Sequence, residues 1–338
     1  MALLFMDSFD HYGTGGDPAA LGKWATITVG SVNNTNSRTG TFSLRFSASS
    51  GEITSKPLTV SGGFVVGVAI YNTTSFNTNN DIIQIQEGST VQLAVSITNT
   101  GLLQVKRSTT VLQTGTKVLN INSWYYIEFK GTIHDSTGSY ELRIDGVTEL
   151  SATGVDTLSS GTNWNCVSFG ALSGNLSYID DVYICDTSGA APRNTFLGLI
   201  KIECLLPQTD AVSAGTDRGF TPSTGTDHGA LVDEVPPNTT DYNFSSIVSK
   251  ESYQFPAMTL SGTVLGLQTN LFVSKSDSSP RVVCATIRMP ITDYDGASVN
   301  PTTSFTYLTE IRPVNPFTSG EWTVADVNSA QAGMKVVS

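Results

Sequence analysis

The chain has 338 residues, of which 14% are charged, and 18 Lys and Arg against 29 Asp and Glu give a net charge of −11. That length exceeds one ordinary β core and predicts two domains, while the acidic balance and scattered basic residues exclude nucleic acid as a partner. The longest apolar run, Phe64 to Tyr71, is far too short to cross a bilayer, and the opening Met1 to Asp7 has no basic n-region, so synthesis in a cytoplasm without membrane insertion is expected.

Charged residues fall below the roughly 25% of an average domain, and Ser, Thr, Asn and Gly take their place, a composition suited to short strands joined by turns. In chain order, Val91 to Ile97 and Leu102 to Val105 alternate apolar and polar residues around Asn99-Thr100-Gly101, which reads as a hairpin. Trp124 to Ile133 puts Tyr125, Ile127, Phe129 and Ile133 on one face and Trp124, Tyr126, Glu128 and Lys130 on the other. Tyr140, Leu142 and Ile144 continue the pattern, and Asp145-Gly146 suits the positive backbone angles of a tight turn. A closing strand spans Leu176 to Ile184, and the softer stretch Asp186 to Pro192 reads as a linker, which divides the chain at 1–190 and 191–338.

Beyond it lie an apolar run, Phe196 to Leu206, and a polar region from Gln208 to Thr240 of a length that usually serves a function. Strand patterns resume at Tyr253 to Phe255, Thr259 to Val273, Arg281 to Arg288 and Ser304 to Ile311. Near the C-terminus Thr323 and Asp326 have capping-box spacing, so a short helix is expected, with Gly333 as its stop. The fold class is therefore all-β, with one short terminal helix.

Few residues point to chemistry. Glu141 and Asp145 share a strand face with Arg143 between them, which reads as a solvated face and not as a glycosidase pair. Asp180 and Asp181 fall on opposite faces of a regular strand, so at most one can enter a core or a groove. Asp293-Tyr294-Asp295-Gly296 lacks the later ligands of a calcium loop and reads as a turn. His11, His134 and His228 have no partner at metal spacing, Gly13 to Gly16 is not followed by a phosphate-binding lysine, and Cys166, Cys185, Cys204 and Cys284 form no CxxC pair. The expected catalytic, cofactor-binding and metal residues are accordingly none. Trp124, at a strand start, is the best core candidate among the tryptophans. Trp164, flanked by Asn163 and Asn165, is the candidate glycan contact.

Trp124-Tyr125-Tyr126-Ile127-Glu128-Phe129, Tyr140 to Gly146, Val167-Ser168-Phe169-Gly170 and Ile179 to Ile184 together resemble the concanavalin A-like lectin/glucanase sandwich, of which laminin G domains are a branch. The resemblance covers about residues 1 to 186 and implies a jelly-roll N-terminal domain whose first strand, Leu4 to Asp10, lies beside the last. The remainder, including Asp186 to Gly189, Asn194 to Gly198, Leu205-Leu206-Pro207, Asp241-Tyr242, Asn315-Pro316, Glu321-Trp322-Thr323 and Gly333, resembles accessory structural proteins of tailed bacteriophages. That second resemblance implies a smaller C-terminal β-sandwich-like domain and a non-enzymatic virion component of the head, neck or tail, assembled in the host cytoplasm. Its implied partners are other virion proteins and copies of itself, with a trimer as the expected symmetry. A carbohydrate-binding or host-adhesion module that recognises a surface glycan is the alternative, and a polysaccharide hydrolase the third reading.

Overall fold

The computed structural model describes residues 3–172, 176–211 and 219–338. Part of the long polar region, 212–218, thus lies outside the described residues. The chain divides into two compact units, the first comprising Met1–Asp10, Thr14–Ala20 and Trp24–Ile202, the second His11–Gly13, Leu21–Lys23 and Glu203–Ser338. Both are built of antiparallel strands, so the protein is all-β.

The first unit is a sandwich of two sheets. Sheet A orders its strands β13 (Val147–Val155), β12 (Gly138–Ile144), β11 (Trp124–Thr132), β6 (Phe64–Asn72), β15 (Ser177–Asp186), β4 (Ser43–Phe46) and β3 (Gly30–Asn33), with β1 (Leu3–Asp7) also paired to β15. Sheet B orders β10 (Thr110–Val118), β9 (Leu102–Arg107), β8 (Thr90–Ile97), β7 (Asn80–Glu87), β14 (Cys166–Gly170), β5 (Glu52–Ser55) and β2 (Trp24–Thr28). The opening and closing strands lie side by side, as the sequence predicts, and the Asp145-Gly146 turn has φ of 54° and 80°.

The core lies between the sheets, because alternation along each strand sends Val66, Val68, Ile70, Ile127 and Phe129 from sheet A and Ile53, Ile83, Ile85, Val95, Val105 and Phe169 from sheet B to the inside. Trp24 is fully buried there and donates its indole N–H to Asp7 Oδ2 at 2.7 Å. Trp124 departs from expectation: it is only half-buried and packs on Tyr71, ring centroids 5.2 Å apart. Its strand position puts it on the outer face of sheet A, with Tyr126 and Glu128, and not on the core face.

The soft stretch after β15 is pinned into the first unit. Ser61 N–H donates to Asp186 Oδ2 and Gly63 N–H to Thr187 Oγ1. The apolar run beyond it forms no strand and lies over the outer face of sheet A. Gly198 N–H donates to Glu128 Oε1 at 2.8 Å, Leu197 N–H to the Tyr183 hydroxyl, and Ile202 N–H to Asp181 Oδ1 at 2.8 Å, while Arg143 lies over the Phe196 ring at 4.1 Å.

The second unit has a five-stranded sheet in the order 209–210, 249–254, 331–336, 283–289, 292–295, and two-stranded ribbons at 221–222 with 243–244 and 267–273 with 306–312. Ile287, Met289, Trp322, Val327 and Ala332 form its core, with Leu267 packed against them. The helix α1 (Val324–Ser329) has the full Thr323/Asp326 capping box, but it ends before Gly333. Gly333 instead occupies the central strand 331–336, where a Cβ would collide with the Glu251 carbonyl oxygen. Asp293 to Asp295 is likewise strand and not turn, with Asp293 paired to Lys250 at 2.6 Å and Arg288 at 3.0 Å. The turn falls one step earlier, at Pro290-Ile291, so the acidic residues face basic partners across the sheet.

Candidate functional site

Trp164, the sequence candidate for a glycan contact, is inside the sandwich. Its side chain is 1% exposed, its indole N–H donates to Gly62 O at 3.1 Å, and its ring meets Phe64 edge-on at 6.1 Å. No ring face is left for a sugar. The polar neighbours Asn163 and Asn165 mark the loop around it but not its own direction.

Asp180 and Asp181 do not split between faces. Strand β15 pairs with β4 through Ser177–Ile179 and with β1 through Val182–Cys185, and the partner changes at this pair. There the register against β6 slips and Asp181 takes a φ of 48°, so both carboxylates turn into one buried site. Asp180 accepts the N–H groups of Arg38 and Thr39; Asp181 accepts Arg38 Nη1 at 2.5 Å and the Thr39 hydroxyl at 2.8 Å. Burial, reinforced by Asp181, pushes the Asp180 carboxyl well above the usual carboxylate range, and burial raises Asp181 and Asp10 as well. These groups are sealed under chain and brace it. Glu141 pairs with Arg143 at 2.8 Å and Asp145 accepts Tyr126 N–H, both as structural contacts.

His11 packs between the rings of Tyr12 and Tyr307, His134 caps the backbone N–H groups of Ser136 and Thr137, and His228 is buried against Glu251 at 3.0 Å. Cys166, Cys185 and Cys284 are buried thiols, and burial raises all three. No group of three or more His, Cys, Asp or Glu able to hold a metal occurs among the described residues, nor is any helix there long and apolar enough to cross a membrane.

The open, chemically furnished surface is the outer face of sheet B. Directly paired residues share a face, so the registers place Thr54, Ser168, Gln84, Ala94 and Lys106 in one row across β5, β14, β7, β8 and β9. Glu52 pairs with Gly170 in β14, and beyond the register shift in β7 between Asp81 and Ile83, Asp81 starts a row through Ser96, Gln104 and Thr114. Small side chains occupy the middle of these rows and long polar ones flank them. The result is a cleft of about 250 Å³ lined by Glu52, Asn80, Asp81, Gln84, Lys106 and Gly170, among others.

Within it, Asp81 Oδ1 accepts Lys106 Nζ at 2.8 Å and the Ser96 hydroxyl, Gln86 donates to Gln84 at 2.6 Å, and Thr54 donates to Glu52 Oε1 at 3.1 Å. Gly170 separates the two carboxylates, and a Cβ there would strike the Asp81 carbonyl oxygen. Glu52 and Asp81 thus stand on strands two spacings apart, about 9–10 Å between backbones, and both line the cleft. Sequence reasoning missed this face because it sought carboxylates on one strand. The available signal was the period-two spacing of Glu52/Thr54, Ala94/Ser96, Gln104/Lys106 and Ser168/Gly170, whereas Asp81 and Gln84, three apart, reach the same face only through the register shift in β7.

No protein-family model and no curated protein matches the chain. Solved structures similar in fold include the endo-β-1,4-glucuronan lyase of Trichoderma reesei, at 13% identity over 49% of this chain and 92% of that one, with a TM-score of 0.40. Alginate lyase Aly36B is 12% identical over 54% and 96% of the two chains, with a TM-score of 0.41. Trypanosoma rangeli sialidase is 12% identical over 54% of this chain and 30% of the other, with a TM-score of 0.38.

These neighbours have lectin/glucanase-like β-sandwich folds, and they are enzymes of carbohydrates. Two expectations, that the chain is a non-enzymatic virion structural protein and that it is not an enzyme, run counter to these neighbours and are not carried further. A likeness this distant concerns the fold and assigns no activity or substrate to this chain.

Proposed function

We propose that the first unit acts on polysaccharide held along the outer face of sheet B. The observation that carries the reading is the presence of Glu52 and Asp81 in one cleft whose other groups are amides, hydroxyls and a single ammonium. Amide and hydroxyl rows match the hydrogen-bonding pattern of sugar hydroxyls, and two carboxylates facing one bond are the chemistry of glycoside hydrolysis. In that reaction one carboxyl gives a proton to the leaving oxygen and the other attacks carbon or activates water.

Asp81, held by Lys106 and Ser96, suits the ionised role. Glu52, whose oxygen accepts a hydroxyl and no cation, is the second carboxyl of the cleft. The test is reducing-end release from a panel of polysaccharides by the full chain and by Glu52→Gln and Asp81→Asn. Release by the wild type, lowered at least 100-fold in each variant with retention of the polysaccharide unchanged, is the expected outcome. Release that survives both substitutions would move the reaction elsewhere, and neither release nor retention by the wild type would remove the reading.

A further inference from the structure

We infer that the cleft on sheet B takes a neutral glycan chain and rejects polyuronates, an inference that rests on the polysaccharide reading and narrows it. The argument is one of charge. Glu52 and Asp81 are the carboxylates of the cleft and Lys106 is its one cation, so the lining carries a net charge of −1 with both carboxyls ionised and 0 when one holds the proton that the reaction needs, and is positive in neither state. Lys106 is already committed, since its ammonium sits 2.8 Å from Asp81.

A polyuronate carries a carboxylate on every residue, and a site that binds it needs free guanidinium or ammonium groups, or at least no opposing field. Here an incoming uronate would find no uncommitted cation in the lining. It could recruit Lys106 only by breaking the pair with Asp81 and leaving that carboxylate exposed to a like charge.

The rows beside the cleft supply no further cation. Thr54, Ser168, Gln84, Ser96, Gln104 and Thr114 are neutral donors and acceptors, and they already form local pairs: Thr54 with Ser168 at 2.7 Å, Gln104 with Thr114 at 3.0 Å. Such groups exchange one hydroxyl partner for another when a neutral sugar arrives, at little electrostatic cost. The whole chain, at −11, adds a repulsive long-range field for any polyanion.

The experiment is affinity gel electrophoresis of the full chain through xylan, mixed-linkage β-glucan and galactomannan, and through alginate and glucuronan, each at about 20 mM and about 300 mM salt. At least one neutral polymer should retard the protein, with an apparent affinity changed less than twofold by salt. Alginate and glucuronan should bind at least tenfold more weakly. The double variant Glu52→Gln/Asp81→Asn, with a cleft of charge +1 through Lys106, should gain retardation by the polyuronates that added salt abolishes. Tight binding of wild-type protein to alginate or glucuronan would overturn the inference while leaving the polysaccharide reading intact. Retardation by no polymer at all would overturn both.

Discussion

The two outer faces of the sandwich carry similar residues to opposite ends. On sheet A, Glu128, Asp180 and Asp181 are fully buried: backbone N–H groups of the chain from Phe196 to Ile202 donate to Glu128 and Asp181, and those of Arg38 and Thr39 donate to Asp180. On sheet B, Glu52 and Asp81 sit among comparable hydroxyls and amides, and among the described residues the face opens as a cleft. A carboxylate on an outer strand face becomes a brace when its acceptors are filled by the chain. It becomes available for a ligand when they are not. Perturbed acidity here follows burial: the raised carboxyls Asp180 and Asp181 are the sealed ones.

The largest effect should come from sheet A. Arg38→Ala removes the cation that meets the buried Asp181 and also the donor to Ile200 O. An unpaired buried carboxylate should cost about 3–5 kcal/mol of stability, read as a lower urea midpoint. A loss under about 1 kcal/mol would mean that water enters this site and that the two faces are less different than their burial implies.

Next in size is Tyr183→Phe, which deletes the hydroxyl that donates to Glu128 Oε1 at 2.6 Å and accepts Leu197 N–H. A hydrogen bond to a charged group contributes about 1.5–3 kcal/mol. The variant should lose that much and exchange the amides of 197–202 faster in deuterium, while cleft-dependent activity stays unchanged.

Acidity separates the faces more finely. Asp180 holds its proton more tightly folded than unfolded, so the native state binds more protons once pH exceeds the unfolded value of about 3.9. Its contribution to stability is most favourable below that value and declines as pH rises through the raised folded value. Compared with wild type, Asp180→Ala should therefore gain relative stability from pH 4 towards pH 8 in urea titrations. A constant difference between the two proteins would refute the shift. The smallest effect on stability belongs to sheet B, where Glu52→Gln should change it by no more than about 0.5 kcal/mol while polysaccharide cleavage falls.

The strands of the first unit were legible because alternation has a period of two and Gly or Asn turns punctuate it: the hairpins at Asn99-Thr100-Gly101 and Asp145-Gly146 stand where the sequence puts them. The capping box at Thr323 was legible for the same local reason, whereas Gly333 was misread, since a glycine demanded by close backbone approach looks like one that stops a helix. Polar flanks placed Trp164 outside, yet the next strand began two residues later and drew the ring inward.

The sequence by itself determined which residues form strands and which side of each strand is polar, because those properties depend on neighbours one or two positions away. Tertiary structure alone decided which polar sides assemble into a surface and whether anything covers it. Glu52, Gly170 and Asp81 meet only because β14 inserts between β5 and β7, and Asp180 and Asp181 share one site only because β15 changes partner between them. Strand order is settled by packing across more than a hundred residues of chain, and no local pattern carries it.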